Sequence, residues 1–282
     1  MPARIDAHQH YWQLARGDYV WLTPQLTAIY SDFAPDDLMP HLALFDIART
    51  IVVQAAPTEA ETAFLLHLAQ ATPSIAGVVG WVDMEAQDAP ARIAKLAKQR
   101  RLVGLRPMIH ELPDPRWMLS PKLTPAFNAI ARAGLVFDAL VRPVHLRPLL
   151  TLVGRHPALT VVIDHGAKPA IARWRVGDDD FIDWSRKMHR LGRHARVACK
   201  TSGLVTEAAP DWQPGDLMPY LDVLLDAFGP DRLLFGSDWP VVNLAGGYAR
   251  WADALLAWLD LHVDRSAQIG VMGGNAARIY RI

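Results

Sequence analysis

The segment Asp6-Ala7-His8-Gln9-His10 closes an apolar run that begins at Arg4. If the run is a strand, His8 and His10 stand two apart on one face, so both imidazoles point the same way. Two imidazoles so placed suit a divalent cation, or a substrate carbonyl that needs polarising. The plain alternative is a surface pair just past the strand end. Two further runs end in comparable groups: Val161-Val162-Ile163-Asp164-His165, and Leu233-Leu234-Phe235-Gly236-Ser237-Asp238. His165 could instead merely precede Gly166, and Asp238 could cap the turn that runs to Pro240. Four such residues at three strand ends nevertheless favour a shared site, with His8, His10, His165 and Asp238 as candidate metal ligands.

Other strand ends add polar groups. Arg106, in Gly104-Leu105-Arg106-Pro107, could fork onto a carbonyl or carboxylate. Asp138 interrupts the apolar run Leu135–Leu140, and Lys200 lies in Val197-Ala198-Cys199-Lys200-Thr201-Ser202. A buried charge must be paired or functional, so a structural salt bridge and a catalytic role both stay open for Asp138 and Lys200. His110 follows Arg106 in a loop and Lys168 follows His165; both are candidates for substrate contact. Of ten Trp, Trp12, Trp21, Trp81 and Trp239 fall near strand ends or in the long first loop. Aromatic faces there suit a carbohydrate or another flat ligand rich in C–H groups. Trp251 and Trp258, seven apart with Leu255 between them, read as core. His67, His145, His189, His194 and His262 fall in helical patterns and are set aside; Cys199 reads as a buried, inert thiol.

The elements that must position these groups alternate along the chain. Strand-like runs are Arg4–His8, Thr50–Gln54, Gly77–Val82, Leu102–Pro107, Gly134–Leu140, Leu159–His165, Ala195–Ser202 and Arg232–Ser237. Most are continuously apolar, as parallel strands covered on both faces should be. Thr58 and Glu61 form a capping box before a helix, Asp88 and Asp216 precede two more, and helical patterns also fit Leu123–Ala133, His145–Arg155, Asp180–Leu191 and Tyr248–Leu261. This is the pattern of an α/β fold, a single (β/α)8 TIM-type barrel, whose C-terminal strand ends would hold the site. A doubly wound sheet is the rival, but neither G-x-G-x-x-G nor a Walker A loop follows the first strand. Two long loops, His10–Ala34 and Gly203–Pro214, read as lids or binding loops. No linker or repeat divides residues 1–282, so one domain is expected.

Composition bounds the function. The chain of 282 residues balances 29 basic against 29 acidic side chains and is 51% apolar, which argues against disorder. Zero net charge offers no electrostatic case for nucleic acid or a membrane surface as partner. One cysteine excludes an internal disulfide framework and an all-cysteine zinc site. With no signal-like or membrane-spanning apolar run, a cytoplasmic protein is expected.

The pieces around these residues resemble the amidohydrolase superfamily, in its amidohydrolase 2 branch and the sugar-lactonase group within it. They are Asp6-Ala7-His8-Gln9-His10-Tyr11-Trp12, Gly104–Pro107, Asp164-His165-Gly166-Ala167-Lys168-Pro169, Cys199–Leu204, Phe235-Gly236-Ser237-Asp238-Trp239-Pro240 and Gly274–Tyr280, from first strand to last helix. The resemblance implies a hydrolase that opens a lactone of the L-fucono- or L-rhamnono-lactone kind to the aldonic acid. A muconolactone or pyrone lactone hydrolase, a non-oxidative decarboxylase of the same branch and a non-catalytic carbohydrate-binding barrel are its rivals. It also implies that His8, His10, His165 and Asp238 match metal or active-site positions. Arg106 stands where a two-metal bridge would need a lone pair, and guanidinium has none. At most one divalent ion is therefore expected, zinc in the first instance, with turnover without it left open. In this reading Asp238 is the base, His165 and its fellow histidines hold water or polarise the carbonyl, and Arg106 meets the oxyanion. Trp12, Trp21, Trp81, Trp239, His110 and Lys168 would recognise the small-molecule substrate; homo-oligomerisation stays open.

Overall fold

The computed structural model describes residues 3–282. Eight parallel strands lie in chain order: β1 (Arg4–Gln9), β2 (Ile47–Val53), β3 (Ile75–Gly80), β4 (Leu102–Leu105), β5 (Val136–Ala139), β6 (Thr160–Ile163), β7 (Val197–Lys200) and β8 (Leu233–Leu234). Backbone bonds close the circle: Ala7 N donates to Phe235 O at 3.0 Å, Asp238 N to His8 O at 2.8 Å, and His10 N to Trp239 O at 2.7 Å. One helix follows each strand: α1 (Pro35–Leu44), α2 (Glu59–Ala71), α3 (Ala89–Leu96), α4 (Thr124–Ala133), α5 (Leu146–Arg155), α6 (Asp179–Gly192), α7 (Pro214–Phe228) and α8 (Gly247–His262). Short helices α9 (Arg265–Ile269) and α10 (Asn275–Tyr280) complete the chain. The result is a single (β/α)8 barrel. Among the described residues, no helix is long and apolar enough to cross a membrane.

Alternation along the strands builds the interior in layers. Ile51, Val53, Val136, Val162 and Ala198 point inward with Tyr280 of α10 and form an apolar floor. Their strand neighbours, such as Val52, Phe137, Val161 and Cys199, face the helices. Two residues beyond the floor on β5 and β7, and just past the end of β6, the inward positions carry Asp138, Lys200 and Asp164, all fully buried. The apolar period thus places a charged layer directly above the floor. On β1 the register slips between Asp6 and Gln9. Ile5 and Ala7 belong to the floor, and the irregularity re-aims the strand so that His8 comes next to face inward.

Several local expectations need correction. β8 has two ladder residues rather than the six of Arg232–Ser237, because Phe235 N already turns aside to Val271 O and Asp238 adopts a left-handed backbone. β2 starts at Ile47, since Asp46 turns the chain sharply after α1. Helix α1 was outside the expected set: Pro at its start and Pro40 within it mask the period. The Thr58/Glu61 box forms only in part. Thr58 accepts from Glu61 N, but the buried Glu61 carboxylate instead takes Ala55 N and Ala56 N. Asp88 makes no cap either; it pairs with Arg92 at 2.8 Å.

Candidate active site at the C-terminal strand ends

Asp6 laces the first and last strand ends together. Its Oδ1 accepts His8 N at 3.1 Å and Ser237 N at 2.9 Å, fixing His8 opposite Asp238. Two glycines clear the space. A Cβ on Gly236 would lie 2.7 Å from His8 Cβ, and one on Gly203 would lie 2.4 Å from His165 Nδ1. His165, Ala167, Lys168 and Asp238 hold positive φ angles of 56°, 64°, 52° and 59°. Such left-handed backbone in residues other than glycine is costly and gathers at functional sites.

The side chains converge to within a few ångströms of one another. His10 Nε2 stands 3.2 Å from both His8 Nε2 and Asp238 Oδ1. Asp238 Oδ1 is 3.6 Å from His8 Nε2 and 3.8 Å from His165 Nε2. Arg106 Nη1 lies 3.2 Å from His8 Nε2 and 3.4 Å from Asp164 Oδ2, while Nη2 donates to Gln54 O. The opposite ring nitrogens are anchored in turn: His10 Nδ1 on Val53 O at 2.7 Å and His165 Nδ1 on Ser202 Oγ at 2.9 Å. All five residues are buried, 4% exposed or less.

Burial and neighbouring charge set their protonation. Desolvation is the larger influence on His165 and pushes it down to about 4; on His8 the same burial, with Lys200 beside it, acts in the same direction. Both rings are neutral at pH 7. Burial alone would raise Asp238, but His165, the His10 hydrogen bond and His8 outweigh it and hold the carboxyl well below the usual range. Asp238 is ionised. Burial raises Asp6 to about 6 against its hydrogen bonds to Ser237 and His8.

The donor set fits a single divalent ion. His8, His165 and Asp238 each offer a ligand atom, all within 4.8 Å of one another. His10 adds to the case: its Nδ1–H serves Val53 O, so its Nε2 presents a lone pair to the ionised Asp238 at 3.2 Å. Two acceptors face to face call for a proton or a cation between them. Tetrahedral zinc ligands stand about 3.3 Å apart, close to the 3.2 Å between His8 Nε2 and His10 Nε2. Among the described residues, no separate donor cluster of this kind lies away from these side chains.

The other candidates lie around this cluster in different states. Trp12 and Trp239 are buried, packed against Tyr19, Trp21, Phe33 and Tyr11. Trp21 and Trp81 are half-buried; Trp21 ties its indole N–H to Ala55 O at 2.7 Å. Lys168 is ion-paired with Glu207 at 2.5 Å, joining the loops after β6 and β7. His110 is half-buried with an unpartnered Nδ1; burial first, then Lys168 and Arg106, lower it to about 3. Lys200 and Asp138 do form an internal ion pair, at 2.5 Å. Asp6, Gln54, Asp164 and Ser202 were not singled out as site residues. Gln54 and Asp164 each end an apolar run, which is the signal that could have found them; Asp6 lies within the first strand and Ser202 two residues past the seventh.

Known proteins resemble the chain over nearly its whole length. The chain is 46% identical to L-fucono-1,5-lactonase of Burkholderia ambifaria over 286 residues, covering 100% of this chain and 97% of that protein. It is 36% identical to L-fucono-1,5-lactonase of Burkholderia multivorans, covering 99% and 96%. A crystal structure of a Burkholderia multivorans amidohydrolase with bound zinc superposes with a TM-score of 0.93 at 34% identity, over 99% of both chains. A family model described as amidohydrolase matches residues 5–282, and the chain belongs to that family.

Proposed function

We propose that the chain, acting as one barrel domain over residues 1–282, hydrolyses a compact polyhydroxylated lactone of the L-fucono-1,5-lactone kind to its aldonic acid. One observation carries this reading: an ionised carboxylate, neutral imidazoles and a guanidinium meet on one buried wall. Two relatives similar over nearly the whole chain bear that lactonase name.

Asp238 takes a proton from the attacking water as its oxygen bonds to the acyl carbon. Charge then develops on the carbonyl oxygen, where the Arg106 guanidinium, locked by Gln54 and Asp164, is preorganised to meet it. The ring C–O bond breaks, and the proton held by Asp238 passes to the departing alkoxide. One water is added across the acyl–oxygen bond, and the new carboxyl group ionises in solvent. His165, steered by Ser202, turns Nε2 into the site, where it orients water or carbonyl itself or serves as a ligand to the ion. The groups that keep Asp238 ionised also make it a weak base. Zinc held by His8, His165 and Asp238, with His10 alongside, would offset this by supplying a Lewis acid that eases deprotonation of water. Half-buried Trp21, Trp81, His110 and Lys168 would contact the ring and hydroxyls, with Trp12 and Trp239 packed behind them.

A proton-release assay over a panel of sugar-acid 1,4- and 1,5-lactones, with and without chelator, tests the reading. Turnover of polyhydroxylated lactones is expected. Folded protein that opens none of them, or only unsubstituted aliphatic lactones, would sink it.

A further inference from the structure

Directly beneath the site lies a cation that the lactone chemistry does not use. Lys200 Nζ is 2.5 Å from Asp138 Oδ2, 3.0 Å from Asp164 Oδ1 and 3.2 Å from His8 Nδ1. Asp138 is itself braced from the barrel floor, where the Tyr280 hydroxyl sits 2.9 Å from both its oxygens. Lys200, Asp138 and Asp164 are fully buried. Two carboxylate oxygens, one each from Asp138 and Asp164, sit against the Lys200 nitrogen and pair with it as an ammonium.

An ammonium has three hydrogens and no lone pair. Here its three neighbours are two carboxylate oxygens and the His8 ring. A hydrogen aimed at Nδ1 needs a lone pair there, which puts the His8 hydrogen on Nε2, the atom facing Asp238. Ligation through Nε2 requires the opposite arrangement, with the hydrogen on Nδ1, where Asp164 Oδ1 lies 3.3 Å away. Arg106 Nη1, facing Nε2 at 3.2 Å, favours that second arrangement, so two cations compete for the ring. The positive charge behind the ring also repels any cation in front of it, whichever hydrogen arrangement holds.

We infer that Lys200 is a positioning residue that weakens the hold of His8 on a divalent ion, with the Asp138 carboxylate partly offsetting its charge. This rests on the reading of His8 as a ligand. It goes beyond that reading by assigning a residue that keeps the ion weakly bound and exchangeable.

The test is zinc affinity, read by competition with a chromogenic chelator and by elemental analysis, on folded full-length protein. Asp138→Asn leaves the ammonium with one carboxylate fewer and should weaken zinc binding about tenfold. Adding Lys200→Gln should reverse the sign, so that Lys200→Gln/Asp138→Asn binds zinc about tenfold more tightly than wild type. Tyr280→Phe retains the ammonium and should stay within about twofold of wild type. General loosening of the barrel would move all three variants the same way, and that result overturns the inference. So does a double variant no tighter than wild type; if it does not fold, unchanged affinity in Asp138→Asn serves the same purpose. His8→Ala binding zinc as tightly as wild type would remove the ligand reading and this inference together. Absence of lactone turnover would instead sink the proposed reaction and leave the zinc comparison standing.

Discussion

Gly203→Ala is the substitution whose outcome the geometry specifies most closely. The added Cβ would lie 2.4 Å from His165 Nδ1 and 2.5 Å from Cγ, so the ring must withdraw by about 1 Å to reach ordinary contact. That displacement also stretches the 2.9 Å bond to Ser202 Oγ and shifts Nε2 relative to Asp238. A misplacement of about 1 Å at a reacting centre costs on the order of 100-fold in rate, so kcat should fall by about that factor. Backbone strain is a separate effect. Gly203 has φ +66°, where a side chain costs about 1–2 kcal/mol, enough to lower Tm by about 2–6 °C. Gly177→Ala separates the two effects, because Gly177 has φ +95° but nothing within 4 Å of its would-be Cβ. It should lose comparable stability and keep its kcat. Lactone turnover under saturating substrate, with thermal melts of both variants, makes the comparison. Folded Gly203→Ala with more than half the wild-type kcat would refute the claim that this glycine seats His165.

Asp238→Asn keeps the shape but cannot accept a proton at neutral pH; kcat should drop by about 10²–10⁴ with zinc restored, and a near-normal rate would transfer the base role to another group. Purified protein should hold no more than one equivalent of divalent metal per chain by elemental analysis, and two equivalents would contradict the single donor cluster. Glu61 supplies a pH test. Burial pushes it up to about 7 from 4.5, against its hydrogen bonds to Ala55 and Ala56. Between those values the folded protein keeps a proton that the unfolded chain has released, so this group's contribution to stability falls as pH rises. Urea titrations should show the wild type losing about 3 kcal/mol relative to Glu61→Gln between pH 4 and 8; parallel curves would refute it. The pH responses of His8 and His165 are common to both proteins and cancel in that difference.

Much of this architecture was legible because strand alternation is a local property. Val136 before Asp138, Val162 before Asp164 and Ala198 before Lys200 are spaced two apart, which is enough to stack a charged layer on an apolar one. Alternating strand and helix patterns likewise announce the barrel, and barrel closure brings His8, His165 and Asp238 to one rim. What remained open depended on partners distant in the chain. Asp138 and Lys200, 62 residues apart, could be classed as an ion pair only once β5 and β7 had been placed in the same barrel. The Trp residues near the strand ends could not be divided into buried and half-buried by proximity alone, because the fold of the His10–Ala34 loop decides which faces are covered. Glu61 looked like half of a capping box, yet the Ala55–Ala56 amides offered its carboxylate a second use that helix spacing cannot encode. Hydrophobic period is written residue by residue, whereas the partner of a buried polar group is chosen by whichever strand end packing brings within about 3 Å.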